Sequence, residues 1–413
     1  MKKLIIIIGI IFFTTNSFSS DSPKIDFSKA KKYEGDFHIP YHANPNLDTL
    51  RYYMWRYISD IKGTHNSRTI KPSVKPYEFE FDLTEYKFLN KELTRKGIAS
   101  YLYFEKGKVI IDKISPKDRL GEFVDNKTRL RSNSMGKSLA SIILGHAICE
   151  GYIESVDTKI NDWPLLKGSL YENHKLIDLL NMASGDQKYV YDSFLLKNGK
   201  RNRNDGYGVD NMSARFIGVE FKDKKASKKK YNYNNINTNL ILNYVLFKSN
   251  GNFDKLLNKI FQEKARIKHE VFFFKQHVSD ELGNAHNMFY ATRFDYLRIA
   301  KVLIDDYQNN TCFGKYLKEI YKRRIPKNLG EEGEPAFNRT YSYGGQFHMD
   351  YPGLKDRVVF GFGGRSGQAI LIDMENSRII VLNSIHYNNG RYKYNVKKLL
   401  INPIKHGKKT FEK

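Results

Sequence analysis

What the chain lacks already excludes several classes of protein. Its 413 residues include only Cys149 and Cys312, which are too few for a disulfide scaffold. The sequence leaves open whether they pair in an oxidising compartment or stay as buried free thiols. Acidic residues number 45 against 69 lysines and arginines, a formal net charge of +24. Because the basic residues are scattered and no nucleic-acid-binding module occurs, we expect no nucleic-acid partner.

Long apolar runs are also missing. The run that comes nearest covers residues 4–13, directly after a short basic start, and a membrane-spanning helix needs about 20 residues. A basic start, a short apolar stretch and small polar residues up to Ser20 are typical of a secretory signal peptide. We therefore expect residues 1–19 to be removed and the mature chain to be periplasmic or secreted. No stable membrane anchor is expected.

The motifs of two large hydrolase classes do not occur. His269, His277 and His286 lack the His-Glu-x-x-His spacing of zinc hydrolases, so we expect no metal and no other cofactor. The Gly-x-Ser-x-Gly elbow is absent as well, which argues against an α/β-hydrolase esterase.

The secondary-structure patterns divide the chain after the signal into two parts. Residues 20–90 form a polar amino-terminal extension with a short helical pattern around 47–61. Residues 91–413 begin with a β-hairpin, continue with mostly helical patterns and return to strands from about residue 341. We therefore expect an α/β fold of the α+β type, in which an antiparallel sheet is flanked by helices and encloses an inserted, mostly helical region.

A Ser-x-x-Lys pattern supplies the first candidate catalytic pair. Ser134 and Lys137 lie one helical turn apart, at the start of a helix with apolar residues at helical spacing. A serine needs an adjacent base to become a good nucleophile. Ser28, Ser59 and Ser227 fit the same pattern but lie in polar runs or near the end of an amphipathic helix. An ordinary helix cap remains the alternative for Ser134.

The second candidate is Tyr233 with Asn235, just before another apolar helical pattern. A phenol and an amide two residues apart can face one cavity, where the phenol exchanges protons and the amide binds substrate. The alternative is a core tyrosine whose hydroxyl bonds to backbone.

The third candidate is Arg365-Ser366-Gly367-Gln368, which follows a glycine-rich passage and enters a strand. A cation, a hydroxyl and unhindered backbone suit a site that holds a carbonyl and a neighbouring anionic group. A glycine-rich hairpin turn is the alternative.

Four segments resemble, in order and approximate spacing, the serine β-lactamase-related and penicillin-binding-protein superfamily. They are Ser134-Met-Gly-Lys137, Leu180-Asn-Met-Ala-Ser-Gly185, Tyr233-Asn-Asn235 and Gly364-Arg-Ser-Gly-Gln368. The pattern is similar to the branch of class C β-lactamases, esterases and 6-aminohexanoate-dimer hydrolases, and Tyr343-Gly-Gly-Gln-Phe347 supports it. The resemblance implies a β-lactamase/transpeptidase-like fold.

The resemblance also implies roles for the candidate residues. Ser134 would be the acylated nucleophile, with Lys137 and Tyr233 as its proton-transfer partners. Asn235 would contact the substrate or Lys137. The backbone N–H groups of Ser134 and Gln368 would form the oxyanion hole.

The segment Gly364–Gln368, which carries the third candidate and which we term the third segment, departs from the family pattern. The family commonly has Lys-Thr-Gly or His-x-Gly where this chain has Arg365-Ser366-Gly367. An arginine keeps the positive charge but cannot donate a proton at neutral pH, so the resemblance favours cleavage of small amides or esters over strong β-lactamase activity. A true β-lactamase, a D-amino-acid peptidase and an inactive penicillin-binding-like protein are the alternatives. Substrate identity and oligomeric state stay open.

Overall fold

A computed structural model describes residues 46–59, 67–189, 221–274, 288–327, 340–385 and 391–412. The predicted signal peptide, residues 1–19, lies outside these residues. In the part of the chain that is described, no helix has both the length and the apolar character needed to cross a membrane.

The elements follow one another along the chain as follows. The helices are α1 Leu47–Ser59, α2 Lys87–Leu93, α3 Met135–Cys149, α4 Leu176–Leu180, α5 Ile236–Lys248, α6 Phe253–Asn258, α7 Arg293–Gln308, α8 Cys312–Lys322 and α9 Asn402–His406. The strands are β1 Ser67–Ile70, β2 Glu80–Phe81, β3 Ile98–Glu105, β4 Lys108–Ile114, β5 Leu130–Arg131, β6 Val271–Phe274, β7 Phe289–Ala291, β8 Ile325–Pro326, β9 Ser342–Gly344, β10 Phe347–Met349, β11 Val359–Gly363, β12 Ala369–Asp373 and β13 Arg378–Ser384.

The larger sheet joins distant parts of the chain. Its strand order is β2-β4-β3-β13-β12-β11-β10-β9-β8, and all its neighbouring strands are antiparallel except β2 and β4. Strand β3, near the start of the chain, pairs with β13, near its end, and Ile380 lies opposite Tyr103. A smaller sheet has the order β1-β6-β7-β5. The predicted antiparallel sheet with an inserted, mostly helical region is confirmed.

Strand β3 explains why helices cover both faces of the larger sheet. Every residue of β3 is buried, and alternate side chains point to opposite faces. Leu102 and Phe104 belong to the main core, whereas Tyr101 and Tyr103 belong to a second core beneath the carboxyl-terminal helix. Two apolar layers therefore enclose this strand, and its sequence has no polar face.

Helix α3 lies inside the helical region. Every residue from Met135 to Ala147 is buried, as expected for a helix that is enclosed on all sides. It packs against α5, α6, α8 and strand β11. A polar side chain near its start is consequently held in the interior.

The described part of the predicted extension packs into the same core. Leu50, Met54 and Ile58 of α1 belong to the main core cluster, together with Ile70 and Phe79. Strand β1 pairs with β6, and β2 pairs with β4. The domain boundary at residue 90 stays a prediction, but residues before it contribute strands to both sheets.

Cys149 and Cys312 form a disulfide bond. It joins the end of α3 to the start of α8, with 5.8 Å between the two Cα atoms and 163 residues between them in the chain. Of the two alternatives that the sequence leaves open, the structure has the paired form.

We predict that this disulfide contributes substantially to stability. A Cys149→Ser/Cys312→Ser double variant should lose about 2–5 kcal/mol in free energy of unfolding, because a crosslink over a long loop restricts the unfolded chain. Urea unfolding of both proteins with and without dithiothreitol checks this. Reductant should destabilise the wild type and leave the double variant unchanged. A fully reduced wild type with an unaltered midpoint would contradict the prediction.

His146, one turn before this disulfide, is a buried histidine in an apolar setting. It is 3% exposed, and its ring stacks on Phe313 with 4.2 Å between centroids. Burial lowers the pKa of His146 to about 3, and the positive charges of Lys264 and Lys259 add to the effect. Unfolding would return the imidazole to its usual pKa near 6.5.

We predict that this histidine makes the fold sensitive to mild acid. Between pH 6.5 and about 3 the unfolded chain binds a proton that the folded protein excludes, so stability falls as the pH decreases, by up to about 1.4 kcal/mol per pH unit. His146→Phe should remove this contribution. Denaturant titrations of both proteins at pH 7.5 and pH 5 compare the two, and parallel losses in wild type and variant would contradict the assignment.

Candidate active site

Ser134 lies directly before the enclosed helix α3, and its hydroxyl does not cap it. The residue has φ −67° and ψ −7°, and its side chain makes no capping hydrogen bond. By contrast, Thr292 before α7 and Thr311 before α8 both accept a hydrogen bond from a backbone N–H of their helix. The helix-cap alternative for Ser134 is therefore not what the structure has.

Lys137 brings two of the predicted segments together. Its side chain is buried, with 2% exposed, and its Nζ donates a hydrogen bond to Asn235 Oδ1. The same ammonium lies over the ring of Tyr233, 4.9 Å from the centroid, in the geometry of a cation–π contact. Asn235 directly precedes helix α5, so the starts of α3 and α5 face each other across Lys137.

Tyr233 lies in a cluster of aromatic side chains and is half-buried. Its ring centroid is 6.0 Å from that of Tyr343 and 6.3 Å from that of His348. His348 is paired with Lys327, whose Nζ donates to Nδ1 at 3.0 Å. Burial lowers the pKa of His348 well below its usual value, and the charges of Lys327 and Lys137 add to this. His348 is thus a neutral acceptor beside the tyrosine.

A buried aspartate anchors the loop that carries Tyr233. Asp186 is fully buried and accepts hydrogen bonds from Tyr171 Oη at 2.9 Å, Asn232 Nδ2 at 2.8 Å and Asn234 Nδ2 at 3.1 Å. Burial raises the pKa of this carboxyl group, although the donors act to lower it. The amides on either side of Tyr233 therefore share one acceptor.

Gln346 ties three further elements to this region. Its side chain accepts from Thr238 Oγ1 of α5 at 2.7 Å and donates to the Leu179 carbonyl of α4 at 2.9 Å. Its backbone carbonyl accepts from Ser138 Oγ of α3 at 2.8 Å. The turn between β9 and β10 thereby fixes α3, α4 and α5 relative to one another.

The third predicted segment forms the turn between β11 and β12. Gly364 N donates to the Gln368 carbonyl at 2.9 Å, and Gly367 has φ +84°, a conformation that favours glycine. The hairpin-turn alternative for this segment is thus correct as a description of its backbone. Ser366 and Gln368 are buried, whereas Arg365 is half-buried.

This turn also contacts the residues around Ser134. Gln368 Nε2 donates to the Arg131 carbonyl at 2.6 Å, and Asn133 Nδ2 donates to Ser366 Oγ at 3.3 Å. The structure therefore joins the third segment to the chain that immediately precedes the candidate nucleophile. In the described residues no side-chain hydrogen bond of Ser134 itself is found.

Four of these side chains were not among the sequence candidates: Asp186, Gln346, Lys327 and His348. Asp186 follows the Leu180–Gly185 segment directly, and Gln346 and His348 lie in or beside Tyr343–Phe347. Gln346 is already within the second of these segments, and extending each segment by one residue would have included Asp186 and His348. Lys327 has no comparable signal in the sequence.

We predict that Asp186 is needed for the stability of this region. Asp186→Ala should lower the free energy of unfolding by about 3 kcal/mol, because three buried donors lose their acceptor. Asp305→Ala is the matched control, since that carboxylate forms an exposed pair with Lys301, worth about 0.5 kcal/mol or less. Urea unfolding measures both, and equal losses would contradict the role of Asp186.

Comparison with known proteins identifies the fold. No family model and no curated protein matches the chain, but solved structures do. A Bacillus anthracis protein assigned as a 6-aminohexanoate-dimer hydrolase superposes with a TM-score of 0.65 at 15% identity, over 87% of this chain and 95% of that chain. EstCE1, a hydrolase with promiscuous acyltransferase activity, gives a TM-score of 0.51 at 12% identity, over 72% and 95%.

A Bacteroides dorei protein assigned as a β-lactamase gives a TM-score of 0.51 at 13% identity, over 73% of this chain and 91% of that chain. The chain therefore has the β-lactamase/transpeptidase-like fold of these solved structures. The resemblance inferred from the four segments is confirmed at the level of the fold.

Proposed function

We propose that the protein is an exported serine hydrolase that cleaves small amide or ester substrates through an acyl-enzyme on Ser134. The observation that carries the proposal is the buried Lys137 amine, one helical turn after Ser134 and bonded to Asn235 beside Tyr233. The amine of Lys137 and the ring of Tyr233, which come from distant parts of the chain, are in contact, and Ser134 lies one helical turn before Lys137. This is the set of groups that nucleophilic acyl transfer requires.

The proposed acylation step uses the residues as follows. The step starts from Lys137 as a neutral amine: Ser134 Oγ attacks the substrate carbonyl while its proton passes to Lys137 Nζ, with Tyr233 as the second proton carrier. The tetrahedral oxyanion accepts hydrogen bonds from the backbone N–H groups of Ser134 and Gln368. When the bond to the leaving group breaks, the amine or alcohol takes up the proton. Water then attacks the acyl-enzyme by the reverse route and releases the acid and Ser134.

The third segment would set substrate preference. The half-buried Arg365 supplies a positive charge beside the turn, which suits a substrate with an anionic group near its carbonyl. Ser366 and Gly367 hold that turn, and Asn235 contacts Lys137. Because arginine does not donate its proton at neutral pH, the proposal favours small amides and esters over β-lactams.

Export is supported by two features. The amino-terminal residues have the layout of a signal peptide, and the Cys149–Cys312 disulfide is of the kind that persists in oxidising compartments. We propose a periplasmic or secreted location for the mature chain.

We predict that a fluorophosphonate probe labels the protein at Ser134. Intact-mass spectrometry should detect one adduct on the wild type and none on Ser134→Ala, and Lys137→Ala should react about 10²–10⁴-fold more slowly because it lacks the base. Ser141→Ala, which changes a buried serine two turns further along α3, should react like the wild type. The unlabelled mass also locates the mature amino terminus.

The same assay with a penicillin separates the alternatives. Phosphonate labelling without a penicillin adduct favours ester or amide substrates, whereas a persistent penicillin adduct indicates a penicillin-binding protein. A folded wild type that neither reagent modifies would contradict the proposal and favour an inactive binding protein.

A further inference from the structure

A tyrosine from the amino-terminal segment lies between the candidate nucleophile and the turn of the third segment. Tyr57, on helix α1, is 4% exposed. Its hydroxyl hydrogen-bonds to Ser366 Oγ and accepts a hydrogen bond from Asn133 Nδ2. Asn133 Nδ2 also donates to Ser366 Oγ at 3.3 Å. These three side chains, from three distant parts of the chain, form what we term the junction cluster: Tyr57, Asn133 and Ser366.

One member of the junction cluster controls the backbone at the nucleophile. Asn133 directly precedes Ser134 and has φ +47°, in the left-handed region, which asparagine adopts more readily than most residues other than glycine. Two hydrogen bonds from its side chain hold this conformation. Its carbonyl also accepts hydrogen bonds from Ser132 Oγ and Gly136 N. The direction of the Ser134 N–H and side chain therefore depends on the junction cluster.

The other end of the junction cluster controls the opposite side of the site. Ser366 is fully buried and lies two residues before Gln368, whose backbone N–H is the second proposed oxyanion donor. Gln368 Nε2 is bonded to the Arg131 carbonyl, so the turn is attached to the chain before Ser134 at two places. The junction cluster is one of these two attachments. Its member Tyr57 belongs neither to the chain around Ser134 nor to the third segment.

We propose that Tyr57 is a positioning residue for the Ser134 site, which fixes the spacing between the Ser134 and Gln368 amides through Asn133 and Ser366. This inference rests on the proposed function. An oxyanion hole needs donors placed about 2.7–3.1 Å from the developing charge, so small shifts between the two amides reduce the rate of the chemical step. The predicted amino-terminal extension thus completes the geometry of the site.

The hydroxyl group can be removed without removing the packing of α1. Leu50, Met54 and Ile58 hold the helix in the main core, and the ring of Tyr57 would remain in Tyr57→Phe. The matched control is Tyr316→Phe. Its hydroxyl is also buried and bonds to Ser141 Oγ of α3 at 2.8 Å, but it lies outside the junction cluster.

The test measures two quantities of fluorophosphonate labelling separately: the first-order rate constant of the bound reagent, kinact, and the inhibition constant, KI. For Tyr57→Phe, kinact should fall about tenfold, because an oxyanion donor is displaced and not lost. The inhibition constant KI should change less than about twofold, because reagent binding does not depend on the transition state. Tyr316→Phe should keep the wild-type kinact, although this variant also loses a buried hydrogen bond.

A double-mutant cycle with Ser366→Ala tests the route of the effect. Both single variants break the Tyr57–Ser366 bond, and each also removes one bond to Asn133. The fall in kinact of the double variant should therefore be clearly less than additive. If Tyr57→Phe does not fold, Ser366→Ala alone should show the tenfold fall. Unchanged kinact in folded Tyr57→Phe, or additive effects, overturn the role of Tyr57 while the proposed function stands. A wild type without a Ser134 adduct overturns the proposed function and this role together.

Discussion

The interior position of the Lys137 amine is the constraint on which the rest of the site depends. Helix α3 is enclosed along its length, so its first turn carries Lys137 away from water. A buried amine must find polar or aromatic partners, because leaving one unpaired costs several kcal/mol. Asn235 Oδ1 and the face of Tyr233 meet this need. Because Asn235 directly precedes α5, the buried Lys137 of α3 needs the start of α5 to lie opposite it.

Further buried hydrogen bonds fix the positions of the elements around Lys137. Asp186 holds the amides on both sides of Tyr233, and Gln346 joins α3, α4 and α5. Because these partners are buried, they keep one geometry instead of exchanging with water. The sheet contributes the third segment at the turn between β11 and β12, where Gln368 reaches the chain before Ser134. Buried hydrogen bonds thus hold the elements of the candidate site in one arrangement.

Sequence patterns predicted the parts of this arrangement that are local. The spacing of Ser134 and Lys137 and the apolar period that follows identified an enclosed helix, and strands at both ends of the chain indicated the joined sheet. Contacts between distant residues were beyond such patterns. Tyr57 and Ser366 lie 309 positions apart, and the cysteines lie 163 apart. Asp186 was not among the sequence candidates, since its role exists only once Asn232 and Asn234 are brought to it.

The most direct test of the central claim is rapid-quench intact-mass spectrometry with a chromogenic short-chain ester, followed by peptide mapping. The account predicts an acyl adduct that forms and decays during turnover and maps to Ser134. Ester turnover without any adduct, or an adduct on another residue, would contradict it.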